Sequence, residues 1–396
     1  MSNQLTIANF NLRNWIRASS DIEQYYFYSP GRHNYYSAAQ FKEKSAWVQQ
    51  QLIALDADIV AFQECFDETS LLACIRGTDG HADSKLITAP LDEKTRETQG
   101  SQVVFNAPRV AIAYRSTWRC THWVAHQRFP ENLALQTKVS DGSNRDWRMD
   151  LQCNDTPLNQ FNRAVIEAHF ESSQYPEQRI CVFAAHLKSK RPLAANLDGD
   201  LDLAQYVIED AVGRARSLMI RTIEACAIRA LTANQIAKDP SVPVLVIGDL
   251  NDSPRSVSTH IAGGDEVPSI HSDLVEDHDQ RQRQRMKLGD YQLHSALEMQ
   301  TRKSHRDVLY THVYNGHYDV LDHVFVSNHL VPKWMRDRHG GTQQSIGRVG
   351  SLRVYNDHLL NTELDDLSPR EVGQSLHTLS DHGQLSCRVE FDSRST

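Results

Sequence analysis

Polar residues that could perform chemistry stand at the ends of several strand-like stretches. The apolar run VLVIG leads directly into Asp249 and Asn251, and His186 ends another such stretch in AAHLKSK. Asp381 and His382 precede the last one, in LSDHG. In α/β folds, strand ends meet at one edge of a sheet, where sites usually form. We therefore expect these side chains to converge.

Three further strand-like stretches carry polar residues of the same kind. Asn11 follows the first in FNLR, Glu64 closes the second in FQE, and Asp322 lies within VLDHVFVS. Imidazoles, carboxylates and amides together suit a metal-assisted attack of water on a phosphoester, in which Asp249 could deprotonate the water and a histidine could donate a proton. Hard oxygen ligands such as Glu64 favour Mg²⁺ or Mn²⁺ over zinc.

Strand-like and helix-like stretches alternate along the chain. Helices are predicted over about 38–55 and about 201–235, and an apolar stripe on the second contains Val212 and Met219. Because strands occur throughout, with helices at only some crossings, the pattern favours one mixed α/β domain over 1–396. The predicted strands are LTIANF, 58–64, 109–115, 164–170, 179–187, VLVIGDL, 320–327 and 385–391.

Three stretches have the composition of surface insertions, near 77–102, 253–309 and 333–350. The middle one contains the charged run DHDQRQRQR. It is too long for an ordinary loop, so we expect it to contain local helices or to have a functional role.

Composition indicates an ordinary soluble globular protein, with 40% hydrophobic and 23% charged residues. The net charge of −8 provides no global basic surface for nucleic acid, although a local basic groove would suffice. The absence of a long apolar run or a leader-like start predicts a cytoplasmic protein without stable membrane association, unless a leader has been removed. Seven cysteines without a CxxC pair indicate reduced thiols.

Six motifs occur together: FNLR, DIVAFQE, HLKS, GDLND, LDHVFVS and SDHG. In this order they resemble the endonuclease/exonuclease/phosphatase superfamily, and they cover residues 5–392. The resemblance implies a four-layered α/β sandwich of two packed mixed β-sheets flanked by helices. It also implies a phosphoester hydrolase that depends on a divalent metal ion, Mg²⁺ or Mn²⁺.

The same resemblance assigns metal ligands. Glu64 would be the principal ligand, Asn11 would help to hold the metal or a water, and Asp381 would join the metal shell.

It also assigns catalytic residues. Asp249 would activate the nucleophilic water, and Asn251 would position that water or the phosphate. His186 and His382 would grip and protonate the phosphoryl group, with Asp322 orienting His382. The two-histidine pattern resembles deoxyribonuclease and sphingomyelinase relatives, whereas AP endonucleases carry tyrosine at the place of His186.

Basic residues near His186 bear on the substrate. Lys188 and Lys190 alternate along an extended segment, so both could face a phosphate. Arg163 lies in FNRAVIEAHF, which resembles the segment of deoxyribonuclease relatives whose arginine touches the phosphate backbone. These residues favour a nuclease acting on DNA or RNA. The alternatives are a phosphomonoesterase or lipid phosphodiesterase of the same fold and, more remotely, an inactive binding scaffold.

Several other features are expected to be structural. Asp357–His358 resembles the Asp–His pair of the SDH motif, but no strand-like pattern follows it directly as LSCRVEF follows His382. The helix arginines are expected to be solvated, the aromatic run YYFY at 25–28 to pack, and three histidines near Asp322 to be surface or core residues. The arginines are Arg214, Arg216 and Arg221, and the histidines are His312, His317 and His323.

Overall fold

A computed structural model describes most of the chain. It places residues 4–16, 36, 38–90, 108–133, 158–193, 203–264, 267–270, 275–332, 341–360 and 379–392, together with the backbone of several short strands. The aromatic run at 25–28 lies outside the described residues.

The strands in chain order begin with a long N-terminal one and end near residue 391. They are β1 (Gln4–Trp15), β2 (Ile59–Cys65), β3 (Lys85–Thr88), β4 (Thr98–Gln99), β5 (Gln102–Val103), β6 (Arg109–Tyr114), β7 (Trp118–Arg128), β8 (Gln136–Ser140), β9 (Asp146–Asp150), β10 (Gln152–Cys153), β11 (Thr156–Pro157), β12 (Gln160–Ser172), β13 (Arg179–His186), β14 (Val244–Asp249), β15 (Leu293–Ser295), β16 (His312–Tyr314), β17 (His317–Asp319), β18 (Asp322–Ser327), β19 (Gly347–Tyr355) and β20 (Gln384–Phe391).

The helices include the two that the sequence predicts. They are α1 (Ala38–Leu55), α2 (Glu68–Arg76), α3 (Leu203–Lys238), α4 (Val257–Gly263), α5 (His278–Gly289) and α6 (Ala296–Lys303). The segment 253–309 therefore carries three helices, and side chains of Ser256, Asp277 and Ser295 cap their N-termini. No described helix has both the length and the apolar character needed to cross a membrane.

Two mixed six-stranded sheets form the centre of the fold. The first has the order β19-β20-β1-β2-β6-β3, and the second has the order β15-β18-β14-β13-β12-β7. The pairs β1–β2 and β13–β14 are parallel, while the other neighbours in both sheets are antiparallel. Edge strand β19, which the sequence did not predict, begins inside the stretch 333–350.

Apolar side chains fill the spaces between the layers. The largest cluster lies between the sheets and includes Ile7, Ile166 and Ile247. A second cluster joins the outer face of the second sheet to α3, and a third joins the outer face of the first sheet to α1 and α2. This helix–sheet–sheet–helix arrangement confirms the predicted four-layered sandwich.

The first half of α3 differs from the apolar stripe predicted for it. Val212 and Met219 are 39% and 47% exposed, so that part of the stripe is wrong. The buried face there is polar, because Ser217 Oγ donates to the carbonyl of Arg191 and Arg221 to that of Lys188. The helix therefore holds the segment that follows His186 through hydrogen bonds rather than apolar contacts.

Candidate active site

Strand register brings three of the predicted residues side by side in the second sheet. His186 at the end of β13 lies opposite Asp249 at the end of β14. Asp249 in turn lies opposite Asp322 at the start of β18. The ends of β13 and β14 and the start of β18 thus place one imidazole and two carboxylates in one row.

Asp249 is fully enclosed between two histidines. Its Oδ2 lies 3.5 Å from His186 Nε2 and 3.7 Å from His382 Nε2, and it accepts a hydrogen bond of 3.1 Å from the Asn11 amide. Its Oδ1 accepts the backbone N–H of Asn251. Since Asn11 and His382 belong to segments of the first sheet, the site spans both sheets.

His382 is oriented by a chain of buried hydrogen bonds. Its Nδ1 lies 2.8 Å from Asp322 Oδ2, and Asp322 Oδ1 accepts a hydrogen bond of 2.6 Å from Asn9. Asn9 Oδ1 in turn accepts a hydrogen bond from Gln63. Both Asp322 oxygens are thereby engaged in hydrogen bonds, and the carboxylate also lies within 4.8 Å of the ligand atoms of Asp249 and His382.

These contacts separate the protonation states of the site. Burial raises the pKa of Asp249 to about 7, with Asp322 and Glu64 adding to the rise. Burial opposes charge on His382, but Asp322 and Asp249 outweigh it and raise the pKa of this imidazole well above its usual value. Burial and the nearby Arg163 lower the pKa of His186 well below its usual value. At neutral pH His382 is therefore a cation and His186 is a neutral ring.

Glu64 and Asp381 form an acidic corner beside this row. Glu64 Oε2 accepts the backbone N–H of Asn14, and Arg13 Nε lies 3.7 Å from Asp381 Oδ2. Burial disfavours ionisation of Asp381, but Arg13 and His382 prevail and lower its pKa to about 2. Glu64 and Asn14 adopt φ values of 60° and 57°, a conformation that functional sites often hold at a cost.

The donors of this corner fit a hard divalent cation. They are oxygens of Glu64, Asn11 and Asp381, the donor type that such an ion prefers. Arg13 contacts Asp381, and the two carboxylates also act electrostatically on the buried Lys44. The raised pKa of Asp249, to which Glu64 contributes, is a further sign of negative charge that a cation would relieve. Asn11 Oδ1 also accepts the backbone N–H of Arg13.

Asn251 sits at a strained turn after β14. Its φ is 55°, and its amide donates to the carbonyl of Leu187, which follows His186. The residue therefore ties the ends of β13 and β14 together. Asn251 lies close to Asp249, but its side-chain NH₂ group already donates to the backbone carbonyl of Leu187.

Arg163 and Lys188 lie beside His186. Arg163 donates to the carbonyl of Leu187, and its buried Nε has no hydrogen-bond partner among the described residues. Lys188 Nζ contacts the carbonyls of Ser189 and Arg191, and burial and Arg163 lower its pKa to about 8. Neither cation forms an ion pair with a described carboxylate.

The other basic residues singled out from the sequence, Lys190 and three arginines of α3, form ion pairs with acids. Lys190 Nζ lies 2.7 Å from Asp319 Oδ2, so it does not share the environment of Lys188. The expectation that the helix arginines are solvated is wrong for Arg221, which is buried against Asp252. Arg214 and Arg216 are ion-paired and more exposed.

Several residues near His382 were not singled out as functional from the sequence. The ring centroid of His312 lies 5.1 Å from that of His382, and burial and His382 lower the pKa of His312 to about 4. His358 Nε2 lies 3.0 Å from the carbonyl oxygen of His382, and Ser380 Oγ accepts the His382 N–H. His358, in the Asp357–His358 pair that resembles the SDH motif, therefore contacts the backbone of His382 in the SDH motif itself.

Comparison with known proteins rests on structure. No family model matches the sequence, and no curated protein does. An endonuclease/exonuclease/phosphatase family protein from Bacteroides thetaiotaomicron matches with a TM-score of 0.50 and 15% identity over 99% of this chain and 96% of that chain. The human Nocturnin catalytic domain with bound sulfate anion matches with a TM-score of 0.50 and 13% identity over 98% and 94%. The chain therefore has the endonuclease/exonuclease/phosphatase fold, and the resemblance seen in the motifs is confirmed at that level.

Proposed function

We propose that this protein is a divalent-metal-dependent phosphodiester hydrolase that cleaves nucleic acid. The observation that carries the proposal is Asp249, enclosed between His186 and His382 with Asp322 behind the second histidine. A carboxylate and two imidazoles in different protonation states provide both a base and an acid at one point.

Asp249 is suited to act as the base. Its pKa of about 7 lets it accept a proton from water near neutral pH while remaining partly ionised. The Asn251 N–H and the Asn11 amide hold its two oxygens, so that its orientation is set before a substrate arrives.

His382 is suited to act as the proton donor. Asp322 stabilises the imidazolium and fixes its Nδ1, which leaves Nε2 as the atom directed toward Asp249. The neutral His186 beside it can donate one hydrogen bond to a phosphoryl oxygen.

Glu64, Asn11 and Asp381 would hold the metal ion, which we propose to be Mg²⁺ or Mn²⁺. When bound, such an ion polarises a phosphoryl oxygen and offsets the charge that develops there. Arg13 would keep Asp381 ionised and in place.

The substrate proposal rests on Arg163 and Lys188. Both are cations beside His186 whose side chains contact backbone carbonyls. Neither side chain forms an ion pair with a described carboxylate, although the backbone N–H of Lys188 donates to Glu224. A diester chain offers phosphates on either side of the scissile one, and these two residues could bind them. A monoester offers no such flanking phosphate.

A substrate panel tests the proposal. Purified protein with Mg²⁺ is offered plasmid DNA, single-stranded DNA, RNA, an aryl phosphodiester and an aryl phosphomonoester. We expect a nucleic acid to be the best substrate, and Lys188→Ala to slow its cleavage far more than that of the aryl diester. The variant should also flatten the salt dependence by about 0.7–0.9 in log–log slope for each phosphate that the protein no longer neutralises.

Lys85→Ala is the matched control, because Lys85 is an exposed lysine on β3 at the far edge of the first sheet. It should leave both rate and slope unchanged. A preference for the monoester over every nucleic acid, with Lys188→Ala equally harmful to all substrates, would replace this proposal with a phosphomonoesterase.

A further inference from the structure

A second group of metal-binding side chains lies on the opposite end of the second sheet. Glu167 and His169 alternate on β12 and so share one face, and Cys181 on β13 is paired with His169. His126 and His122 occupy the neighbouring strand β7, with His122 opposite His169. Cys181 lies five residues before His186 on the same strand, about 16 Å away along an extended chain.

The atoms that could bind a metal already face one another. Glu167 Oε1 lies 2.8 Å from His169 Nε2, and His169 Nε2 lies 3.7 Å from Cys181 Sγ. All three ligand atoms lie within 4.8 Å of one another. Around a tetrahedral zinc ion, with bonds of about 2.0–2.3 Å, neighbouring ligand atoms stand about 3.3–3.7 Å apart. Only the Glu167–His169 pair would need to open, by roughly half an ångström.

An open cleft lies beside this group, and of the three residues His169 lines it. Its volume is 330 Å³, and its lining includes His122 and His169 from the sheet and Gln235 and Lys238 from the end of α3. The side chains of Glu167 and His169 remain 13% and 21% exposed, whereas Cys181 is buried. A metal ion could therefore enter from the cleft and keep one coordination position open toward it.

We propose that Glu167, His169 and Cys181 bind one divalent transition-metal ion of the zinc class, with a fourth position open to the cleft. Mixed nitrogen, sulfur and oxygen donors select such an ion, in contrast to the oxygen donors around Glu64. On binding, His169 Nε2 gives up the proton that it donates to Glu167, to solvent from a charged ring or to Nδ1 by exchange through solvent in a neutral one, and the metal takes the lone pair left on Nε2. The ring then carries its single proton on Nδ1, and the Cys181 thiol releases its proton to solvent.

His126 supports the site from behind. It lies 2.7 Å from Glu167 Oε2, the oxygen that does not face His169. His126 can therefore hold one oxygen of the Glu167 carboxylate while the other oxygen binds metal, an arrangement common around metal-bound carboxylates.

Cobalt substitution distinguishes this site from the catalytic one. None of the residues that we place in the catalytic site carries a thiol, so a thiolate-to-Co²⁺ charge-transfer band distinguishes the Cys181 site from the catalytic one. We expect this band to rise to saturation at one Co²⁺ for each chain and to disappear when Zn²⁺ is added.

Three variants test the assignment. Cys181→Ser should abolish the band and His169→Ala should weaken Co²⁺ binding at least tenfold. His126→Gln should keep the band and weaken binding by about 10–100-fold, as expected for a residue that holds a ligand. The control is Cys120→Ser on β7, since Cys120 packs against the cluster between the sheets rather than the α3 side.

Zn²⁺ should also raise the unfolding temperature of the wild type and of Cys120→Ser. If Cys181→Ser does not fold, the His126→Gln titration decides in its place. A titration without a thiolate band, a band that survives in Cys181→Ser, or equal losses in Cys120→Ser and His126→Gln would overturn the proposal. None of these outcomes depends on whether the protein hydrolyses phosphodiesters.

Discussion

Asp322 illustrates how a single buried carboxylate can set the properties of its neighbours. Its two oxygens hold His382 and Asn9, and it has no exposed surface. Its charge raises both the pKa of the imidazole and the pKa of Asp249. The protonation of His382 and of Asp249 therefore depends on this residue, although it does not face the solvent.

Replacing Asp322 by Asn is expected to lower kcat by about 10²–10⁴-fold, the usual contribution of a general acid. The uncharged amide cannot stabilise the imidazolium of His382. Its NH₂ group would also face another hydrogen-bond donor, on either Asn9 or His382. Measurements of kcat together with the unfolding temperature would separate catalysis from folding. Asp357→Asn, at an exposed aspartate beside His358, is the control and should retain most activity; a similar loss in both variants would contradict the assignment.

Glu64 supports a prediction about the metal. Glu64→Gln keeps the shape of the side chain but removes its charge, so activity should fall at least tenfold at limiting Mg²⁺ and recover partly at high Mg²⁺. Glu68→Gln, on the neighbouring helix α2, should behave like the wild type. Wild-type protein that remains fully active in excess EDTA would rule out the metal-assisted mechanism.

The sequence predicted the residues that follow strands better than those within them. Asp249 and His382 stand out because polar side chains break an apolar pattern just where a strand ends or begins. Asn9 and Gln63 are single polar residues inside apolar strands, and nothing in their spacing shows that Gln63 bonds Asn9 or that Asn9 bonds Asp322 in the other sheet. His312 belongs to a short hairpin whose approach to His382 depends on tertiary packing.

At the scale of elements, helix periodicity predicted the position of α3 but not its buried face. An apolar stripe predicts burial only where the partner surface is apolar. The partner of the first half of α3 is instead a polar segment, which Arg221 and Ser217 bind through backbone carbonyls. In the second half, Ala227 of the predicted stripe packs on the sheet together with Ile228, which lies outside that stripe.

Gly248 supports a prediction about how β13 and β14 position the site. A Cβ at this residue would lie 2.0 Å from the carbonyl oxygen of Ala185, which backbone atoms cannot accommodate without a shift. Gly248→Ala should therefore lower the free energy of unfolding by about 2–4 kcal/mol, within the range of severe steric changes, and reduce activity by displacing Asp249.

Gly316 is the matched control for this experiment. It also has a positive φ, of +73°, but no described atom lies within 4 Å of a Cβ placed there. Gly316→Ala should cost only about 1 kcal/mol, from backbone conformation alone. Urea unfolding of both variants measures the difference, and equal costs would show that the close approach to Ala185 is not important.

At the scale of the whole molecule, the catalytic site lies where the two sheets meet. Asn9, Asn11 and His382 come from segments of the first sheet, whereas Asp249 and Asp322 come from the second. Their hydrogen bonds join the sheets, so that protonation of the site and stability of the fold are coupled.

Buried histidines predict how stability varies with pH. Burial lowers the pKa values of five described histidines, with His81 and His312 at about 4; the others are His186, His323 and His358. Between about pH 4 and 6.5 the unfolded chain binds protons at these positions that the folded chain does not, so stability rises with pH there. Asp249, Asp58 and Glu224, whose pKa values burial raises, act in the opposite direction, but these carboxyls are fewer than the five histidines.

Above pH 6.5 His382 acts in the other direction. The folded pKa of His382 is raised, so its stabilising contribution is complete below about pH 6.5 and is lost as the pH rises through the folded value. Burial lowers the pKa of Lys44 to about 7, so above pH 7 the unfolded chain binds a proton there that the folded chain does not, and this offsets the loss. We therefore expect the free energy of unfolding, measured by urea titration in metal-free buffer at pH 5, 6.5 and 8, to rise from pH 5 to 6.5 and to change less from pH 6.5 to 8.

A single variant tests the origin of the acidic side of this curve. His81 is far from the catalytic residues in the sequence, and its ring contacts Ser84 and Arg115. His81→Gln removes one proton-linked group, so the slope between pH 5 and 6.5 should fall by up to about 1.4 kcal/mol per pH unit, whatever its effect on absolute stability. His317→Gln, at an exposed histidine, should leave the slope unchanged. A stability that declines from pH 5 to 6.5, or a slope that His81→Gln does not alter, would show that buried neutral histidines do not control the acid sensitivity of this fold.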